Sequence, residues 1–160
     1  METTLPQPQL AQPGPLRTFQ DGQFRVLVAP EQTANTFSLC EMYLTHGAGP
    51  PRHLHTREDE TIYVLEGELS FRVGEEVLTA QAGQAVFSPR QVPHQFKVVS
   101  PTARILMLLT PGQFADYFVA QSRVLDAEGT VAPPLGPPPP EVLAQRLRSL
   151  REEHGVHFIS

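Results

Sequence analysis

The sequence has little of what secreted, membrane-spanning or nucleic-acid-binding proteins carry. Its 160 residues include a single cysteine, Cys40, so no internal disulfide can form, and this favours a reducing cytoplasm. No apolar stretch approaches the roughly 20 residues of a membrane helix, and the amino terminus lacks the pattern of a signal peptide. The formal net charge is -5 with scattered basic residues, whereas nucleic acids favour a basic stripe. We therefore expect a cytoplasmic protein without membrane or nucleic-acid partners, and a small neutral or aromatic ligand remains open.

Composition divides the chain into four parts. Residues 1–15 are rich in Pro and Gln, and we expect a flexible segment because proline removes backbone donors and little can be buried. Residues 16–120 carry the strand patterns and predict one domain, for which an apolar content of 40% is sufficient. Residues 121–140 indicate a Pro-rich linker, and residues 141–160 a C-terminal amphipathic helix.

Short segments with period-two alternation follow one another between residues 24 and 110. Apolar residues at every second position, as at Phe24, Val26 and Val28, are typical of strands with one buried face. Glycine-containing turns, such as those at Gly67 and Gly74, separate successive strands. Strands at such short intervals predict an all-β fold, an antiparallel sandwich or barrel.

Two helices are predicted after the strands, because the spacing of apolar residues changes to the helical period. The first is indicated by Phe114, Tyr117 and Phe118. The second has an apolar stripe on Leu143, Leu147 and Leu150. We expect this C-terminal helix to pack on the barrel or on a partner subunit.

The residues with the strongest chemical pattern lie between Gly47 and Gly67. His53 and His55 are separated by one residue, and alternate side chains of a strand point to the same face, so the two imidazoles form a chelating pair. Glu60 follows a short charged turn and can fold back onto the same site. An ionised carboxylate at the head of a buried strand is costly unless a cation compensates it. Imidazole and carboxylate together indicate a first-row divalent metal.

His94 is the fourth candidate ligand. It opens a strand after a connector with two prolines, Pro89 and Pro93, and sequential antiparallel strands bring such distant positions together across a barrel wall. The remaining histidines have no partner at chelating spacing, and we interpret them as ordinary surface or core residues. They are His46, His154 and His157.

Alternative interpretations of these polar residues stay open. On its own, the pair of His53 and His55 also fits an exposed polar turn, because short motifs produce false matches. Glu58 and Asp59 compete with Glu60 for the carboxylate role. We interpret both as residues of a solvated charged turn. Cys40 is interpreted as a small core residue, because no neighbouring cation is evident that would activate its thiol.

The spacing of these residues resembles the two motifs of the cupin superfamily. The first motif is Gly, five residues, His-x-His, three or four residues, Glu, six residues and Gly, and residues 47–67 match every position. The second is Gly, five residues, Pro-x-Gly, two residues, His, three residues and Asn. Gly83, Pro89 and His94 match it. Gln91 replaces the glycine that sets the turn, and Val98 replaces the asparagine.

The resemblance implies a fold and a cofactor. The fold is a cupin-type antiparallel β-barrel, also described as a double-stranded β-helix or jelly roll, with C-terminal helices. The cofactor is one divalent transition metal per subunit, and Fe, Mn, Ni, Co, Cu and Zn all accept the implied ligands. These ligands are His53, His55, Glu60 and His94.

Within the superfamily, the chain is similar to single-domain cupins (monocupins) of the quercetin 2,3-dioxygenase-like group. The shared segments are residues 50–55, 60–68 and 110–114. This resemblance implies a metal-dependent dioxygenase, an oxidoreductase that uses dioxygen and a phenolic or flavonol-like small molecule. Glu60 would be a metal ligand, a base that takes the substrate hydroxyl proton, or both.

Alternation also suggests residues for the wall of the substrate pocket, although each of them fits an ordinary core position as well. They are Ile62, Phe96, Met107 and Leu109. Two other functions remain open. One is a non-catalytic module that binds a small molecule in the same pocket, and the other is a metal-dependent isomerase or hydrolase. Because an exposed edge strand needs cover, we further expect a homodimer in which the amino-terminal segment or apolar strands pair between subunits.

Overall fold

Two antiparallel β-sheets enclose one hydrophobic core in the computed structural model, which describes residues 7–20, 22–125 and 138–159. The larger sheet has the spatial strand order β11 (Arg123–Val124), β1 (Arg17–Phe19), β2 (Gly22–Val28), β3 (Ser38–Thr45), β10 (Thr102–Thr110), β5 (Asp59–Glu66) and β8 (Ala85–Ser88). The smaller sheet has the order β12 (Val156–Phe158), β4 (His53–His55), β9 (His94–Val98), β6 (Glu68–Val73) and β7 (Glu76–Gln81).

Alternation along the strands produces the core. In β10 every second residue is buried, and the same pattern recurs in strands of both sheets. The inward apolar side chains include Ile105 and Met107 of β10, Leu69 and Phe71 of β6, and Phe96 and Val98 of β9. Because apolar side chains at period two need a facing sheet to cover them, the chain closes into a β-sandwich of the jelly-roll type. The predicted all-β cupin-type architecture is confirmed.

Helices occupy few positions. A short 3₁₀ helix covers Pro30–Thr33, α1 covers Phe114–Gln121, and α2 covers Pro140–Glu152. Aromatic rings attach α1 to the larger sheet, since the ring centroids of Phe118 and Phe19 are 5.3 Å apart and those of Phe118 and Phe24 are 6.1 Å apart. Within the described ranges, no helix has the length and apolar character needed to cross a membrane.

The C-terminal segment, residues 141–160, contains the predicted amphipathic helix and, after it, a strand that was not predicted. Helix α2 ends at Glu152, Gly155 adopts a left-handed φ of +68°, and the chain then forms β12. This strand pairs with β4, with Val156 opposite His55 and Phe158 opposite His53. Leu150 is the buried residue of α2, whereas Leu143 and Leu147 of the predicted stripe are 46% and 41% exposed.

The predicted linker and amino-terminal segment are described in part. Residues 126–137 of the linker and residues 1–6 lie outside the described residues. The first linker residues belong to the fold, because β11 pairs with β1 through Val124 and Arg17. Residues 7–16 have no regular secondary structure, and the N–H of Gly14 donates a hydrogen bond to the Val26 carbonyl at 2.8 Å.

Candidate metal centre

Three strands bring the four predicted ligands together inside the sandwich. His53 and His55 share the inward face of β4, and His94 at the start of β9 is the direct cross-strand partner of His53. Glu60 lies on β5 of the opposite sheet. All four side chains are buried, with exposed fractions from 1% for His55 to 6% for His53.

The ring nitrogens of the three histidines converge. Nε2 of His53 and Nε2 of His55 are 3.2 Å apart, and one nitrogen from each of the three rings lies within 4.8 Å of the other two. The Glu60 carboxylate approaches from the facing sheet, with its two oxygens 3.9 Å from Nε2 of His55 and 3.9 Å from Nε2 of His94. Three nitrogens and one carboxylate therefore border a common space.

Hydrogen bonds at the opposite ring nitrogens orient two of the imidazoles. Nδ1 of His53 lies 2.8 Å from the Pro51 carbonyl oxygen, and Nδ1 of His94 lies 2.9 Å from that of Val92. A carbonyl oxygen can only accept, so Nδ1 donates in both rings. In a neutral imidazole the lone pair is then on Nε2, which faces the common space.

These residues fit a divalent transition metal. Nε2 of His94 is buried without a hydrogen-bond partner in the described structure, and a buried polar atom without a partner is costly. Burial, together with the nearby rings of His55 and His94, lowers the pKa of His53 to about 3, which keeps this imidazole neutral and able to bind a cation. A metal on the three nitrogens, with Glu60 as the carboxylate, satisfies all of these atoms.

The burial of Glu58 differs from the prediction. This residue was expected in a solvated turn, but it is 3% exposed, and its Oε2 lies 3.4 Å from Nδ1 of His55. The signal was present in the sequence, because side chains two residues apart on an extended chain share a face. Glu58 therefore points inward with Glu60, whereas Asp59 points away.

Asp59 connects the site to the segment that precedes His94. The backbone N–H of Arg90 donates to Oδ1 of Asp59 at 2.8 Å, and its guanidinium donates to Oδ2 at 2.9 Å. These hydrogen bonds lower the pKa of the Asp59 carboxyl. The pair holds the connector from Pro89 to Pro93 against the head of β5, and thus supports the position of His94.

The two departures from the second motif have different consequences. Gln91 adopts a φ of +65°, the left-handed conformation for which glycine is preferred, and its N–H donates to the His55 carbonyl at 2.7 Å. The turn therefore keeps its geometry without the glycine. Val98 replaces the asparagine and is buried in the core at the end of β9.

A cavity of about 120 Å³ opens beside the metal ligands. Phe96 and Met107, two of the predicted wall residues, line it, whereas Ile62 and Leu109 lie in the packed core on the same inward face. Five further aromatic residues contribute to the wall. They are Phe19, Phe114, Tyr117, Phe118 and Phe158.

Part of this wall comes from segments that the sequence analysis did not connect with the site. Leu150 of α2 and Val156 and Phe158 of β12 line the cavity, and the Phe158 ring centroid is 5.9 Å from that of His53. The Phe114 ring of α1 is 4.9 Å from that of His55. The residues in these two ring contacts are 59 and 105 positions apart in the chain, so local patterns could not reveal them.

The other histidines are placed apart from the three converging rings. His46 is exposed, with Nδ1 2.9 Å from the Val99 carbonyl oxygen, and His157 lies on β12 opposite Leu54. The ring centroids of His154 and Tyr117 are 5.1 Å apart in an edge-to-face arrangement. Among the described residues, the cluster of metal-ligating nitrogens consists of His53, His55 and His94.

Comparison with known proteins agrees with this geometry. Residues 40–110, which contain all four candidate ligands, match the family described as the cupin domain. This segment is therefore similar to a cupin domain. No curated protein matches the sequence.

Solved structures of other cupin-fold proteins superpose on the domain. An RmlC-like cupin from Shewanella frigidimarina has a TM-score of 0.55 and 16% identity over 72% of this chain and 96% of its own. A predicted oxalate decarboxylase from Thermotoga maritima has a TM-score of 0.52 and 20% identity, covering 63% and 93%. KdgF from a Halomonas species has a TM-score of 0.53 and 19% identity, covering 59% and 82%. At such identities the likeness establishes the shared fold alone.

Proposed function

We propose that this cupin domain holds one divalent transition metal and is a dioxygenase for a phenolic, flavonol-like molecule. The proposed ligands are His53, His55, His94 and Glu60. The observation that carries the proposal is the convergence of three imidazole nitrogens and one carboxylate at the polar end of an aromatic cavity. When bound, the metal supplies a Lewis acid that polarises a substrate oxygen.

The cavity wall supports a neutral aromatic substrate. Rings from both sheets and from α1 surround the space, and offset or edge-to-face contacts between aromatic rings are favourable. Among the described residues that line the cavity, none is a lysine or an arginine. Away from the proposed metal, a carboxylate or phosphate group on the substrate would therefore have no cationic side chain to compensate its charge.

In this proposal Glu60 accepts the proton of the substrate hydroxyl. Its carboxylate lines the cavity and lies 3.9 Å from a ring nitrogen of His55 and from one of His94. A phenolic hydroxyl at the polar end of the cavity would give its proton to a Glu60 oxygen. The apolar side chains that line the cavity, among them Phe96, Met107 and Phe114, would exclude water, which strengthens electrostatic interactions.

The direct test is oxygen uptake by the purified protein with a series of flavonols and simpler phenols, after reconstitution with Fe, Mn, Co, Ni, Cu or Zn in turn. We expect substrate-dependent oxygen consumption with at least one metal, and its loss in Glu60→Gln. No oxygen consumption with any pairing would overturn the dioxygenase. Ligand-induced thermal stabilisation without turnover would favour the non-catalytic binding module, and a rearranged or hydrolysed product without oxygen uptake would favour an isomerase or hydrolase.

The metal site has a separate test. We predict that His53→Ala and His94→Ala each abolish stoichiometric metal binding, because each removes one of three converging nitrogens. His46→Ala is the matched control, since His46 is exposed and lies apart from the cluster, and it should retain the metal. Elemental analysis of the three purified variants after metal loading measures this. Unchanged metal content in both His53→Ala and His94→Ala would place the site elsewhere.

A further inference from the structure

We propose that Glu58 is a positioning residue that determines which ring nitrogen of His55 faces the metal. This inference rests on the proposed metal site. It concerns a residue outside the cupin motif positions, located in the turn between β4 and β5.

Two buried polar atoms face each other at this point. The side chains of His55 and Glu58 are 1% and 3% exposed. Nδ1 of His55 and Oε2 of Glu58 are 3.4 Å apart, and neither atom has a hydrogen-bond partner elsewhere in the described structure. Since burial of a carboxylate is costly, its position against the outer nitrogen of a ligand histidine calls for a functional reason.

His53 and His94 each have a hydrogen-bond acceptor at the outer ring nitrogen, Nδ1. In His53 and His94 the outer nitrogen donates to a backbone carbonyl oxygen two residues earlier, that of Pro51 and that of Val92. At the corresponding nitrogen of His55 there is no carbonyl partner in the described structure, and the Glu58 carboxylate occupies the place of one.

The consequence follows from the chemistry of imidazole. A neutral ring carries one N–H and one lone pair, and an ionised carboxylate can only accept. Glu58 therefore favours the hydrogen on Nδ1 and the lone pair on Nε2. Without a metal it competes with Nε2 of His53, which lies 3.2 Å from Nε2 of His55 and would accept a hydrogen bond from it. Without the Glu58 carboxylate, the alternative form with hydrogen on Nε2 becomes more accessible, and this form cannot bind a metal through Nε2. Loss of such a partner typically costs about 10- to 100-fold in metal affinity.

Three variants separate this role from simple packing. Glu58→Leu keeps the volume and removes the acceptor, Glu58→Gln keeps an acceptor oxygen without the charge, and Glu66→Gln removes an exposed carboxylate at the far end of β5 as the charge control. Zn²⁺ affinity is measured by competition with a chromophoric chelator. We expect a loss of about 10- to 100-fold for Glu58→Leu, most of the affinity restored in Glu58→Gln, and no change for Glu66→Gln.

The stability of the metal-free protein distinguishes this role from a purely structural one, because a structural role predicts that Glu58→Leu is less stable than the wild type. Glu58→Leu removes a buried carboxylate with one loosely aligned partner, so the metal-free protein should unfold at the same or a higher denaturant concentration than the wild type. Weaker Zn²⁺ binding together with undiminished metal-free stability is the expected result. A variant that is less stable and binds Zn²⁺ as tightly as the wild type would overturn the proposal.

Nitrogen-15 NMR of the metal-free protein tests the same point without any metal. Long-range nitrogen–proton correlations should show a larger population of the Nδ1–H form of His55 in the wild type and in Glu58→Gln than in Glu58→Leu. Equal populations in the wild type and Glu58→Leu would overturn the proposal, and so would a His55 hydrogen on Nε2 in the Zn²⁺-loaded wild type, even if Glu58→Leu did not fold. A wild type that binds no metal would instead refute the metal site, and the NMR result would still decide the role of Glu58.

Discussion

At the scale of single residues, Gln91 shows how the domain tolerates a departure from its motif. Its left-handed φ of +65° is kept by a hydrogen bond from its N–H to the His55 carbonyl, which joins the connector before His94 to the strand of the other two histidines. In the left-handed region of φ, a residue with a β-carbon is strained, whereas glycine is not. The chain therefore keeps the geometry of the site, while the strained backbone at Gln91 lowers the stability of the fold.

We predict that Gln91→Gly raises the free energy of unfolding by up to about 1 kcal/mol, because the left-handed strain is released while the backbone hydrogen bond remains. The control is Gln95→Gly in β9, where the backbone is extended and glycine should destabilise by a similar amount. Denaturant unfolding of both variants measures this. A destabilised Gln91→Gly would mean that the glutamine side chain contributes contacts of its own.

Cys40 yields a prediction about pH. Its thiol is 1% exposed, and burial raises its pKa from 9.0 to about 12. The folded state therefore holds the thiol proton more tightly than the unfolded state, so this stabilisation is complete below pH 9 and is lost as the pH rises towards about 12. The loss should be on the order of 1 kcal/mol for each pH unit.

The pH prediction is measured by denaturant unfolding of the wild type and Cys40→Ala across this alkaline range. The difference in stability between the two proteins should shrink as the pH rises, because Cys40→Ala removes the titrating group. A thiol reagent should also leave the folded wild type unlabelled near neutral pH. A constant difference between the proteins, or rapid labelling of the folded state, would contradict the buried, protonated thiol.

At the scale of elements, the contact between β12 and β4 connects the C-terminal segment to the candidate metal ligands. Phe158 is paired with His53 and Val156 with His55, and both apolar side chains line the cavity. Gly155 makes this contact possible, because its backbone is left-handed and a β-carbon there would clash with Oγ1 of Thr56. A single glycine thus sets the position of the last strand.

We predict that Gly155→Ala destabilises the β12–β4 contact by more than backbone strain alone. Gly83→Ala is the matched control, because Gly83 has a φ of +89° and a β-carbon there would meet no atom within 4 Å. The control should cost about 1 kcal/mol, and Gly155→Ala should cost more and also accelerate amide exchange at Val156 and Phe158. Equal effects of the two substitutions would mean that Thr56 moves aside.

At the scale of the whole molecule, the edges of the sheets bear on assembly. In the described structure β8 forms one edge of the larger sheet and β7 one edge of the smaller. Phe87 of β8 is 58% exposed and Val77 of β7 is 70% exposed. Exposed apolar side chains on edge strands favour pairing with another chain.

We predict a homodimer in solution, as expected from the need to cover such edges. Light scattering coupled to size-exclusion chromatography should give a mass of twice the 17.7 kDa of the chain. The measurement should be repeated over a range of protein concentrations, because the dimer fraction follows mass action. A mass equal to that of one chain throughout this range would contradict the prediction.

The parts of the molecule that the sequence predicted are those specified by local spacing. The pair of His53 and His55 depends on strand alternation alone, and the all-β fold depends on many short alternating segments between glycine turns. His94 was predicted because it opens a strand, and sequential antiparallel strands bring such distant positions together across a barrel wall. The burial of Glu58 could have been inferred from the same alternation, which puts it on the face of Glu60.

The parts that were missed depend on contacts between distant residues. β12 has three residues, too few for a periodic pattern, and its partner β4 is about 100 positions earlier in the chain. The aromatic wall combines β1, α1 and β12, and nothing in their separate sequences indicates that they meet. Ile62 and Leu109 face inward as predicted, yet packing around them decides that they belong to the core rather than to the cavity.

The pairing of β12 with β4 also has a consequence for the order in which the protein is made. On a ribosome, the strand with His53 and His55 emerges long before Phe158 is synthesised. β4 meets β9 in register only at the pair of His53 and His94, so its longer pairing is with β12. Strand β4 thus acquires this neighbour only after residues 156–158 are synthesised, and a ribosome stalled before residue 156 would display the three histidines without β12.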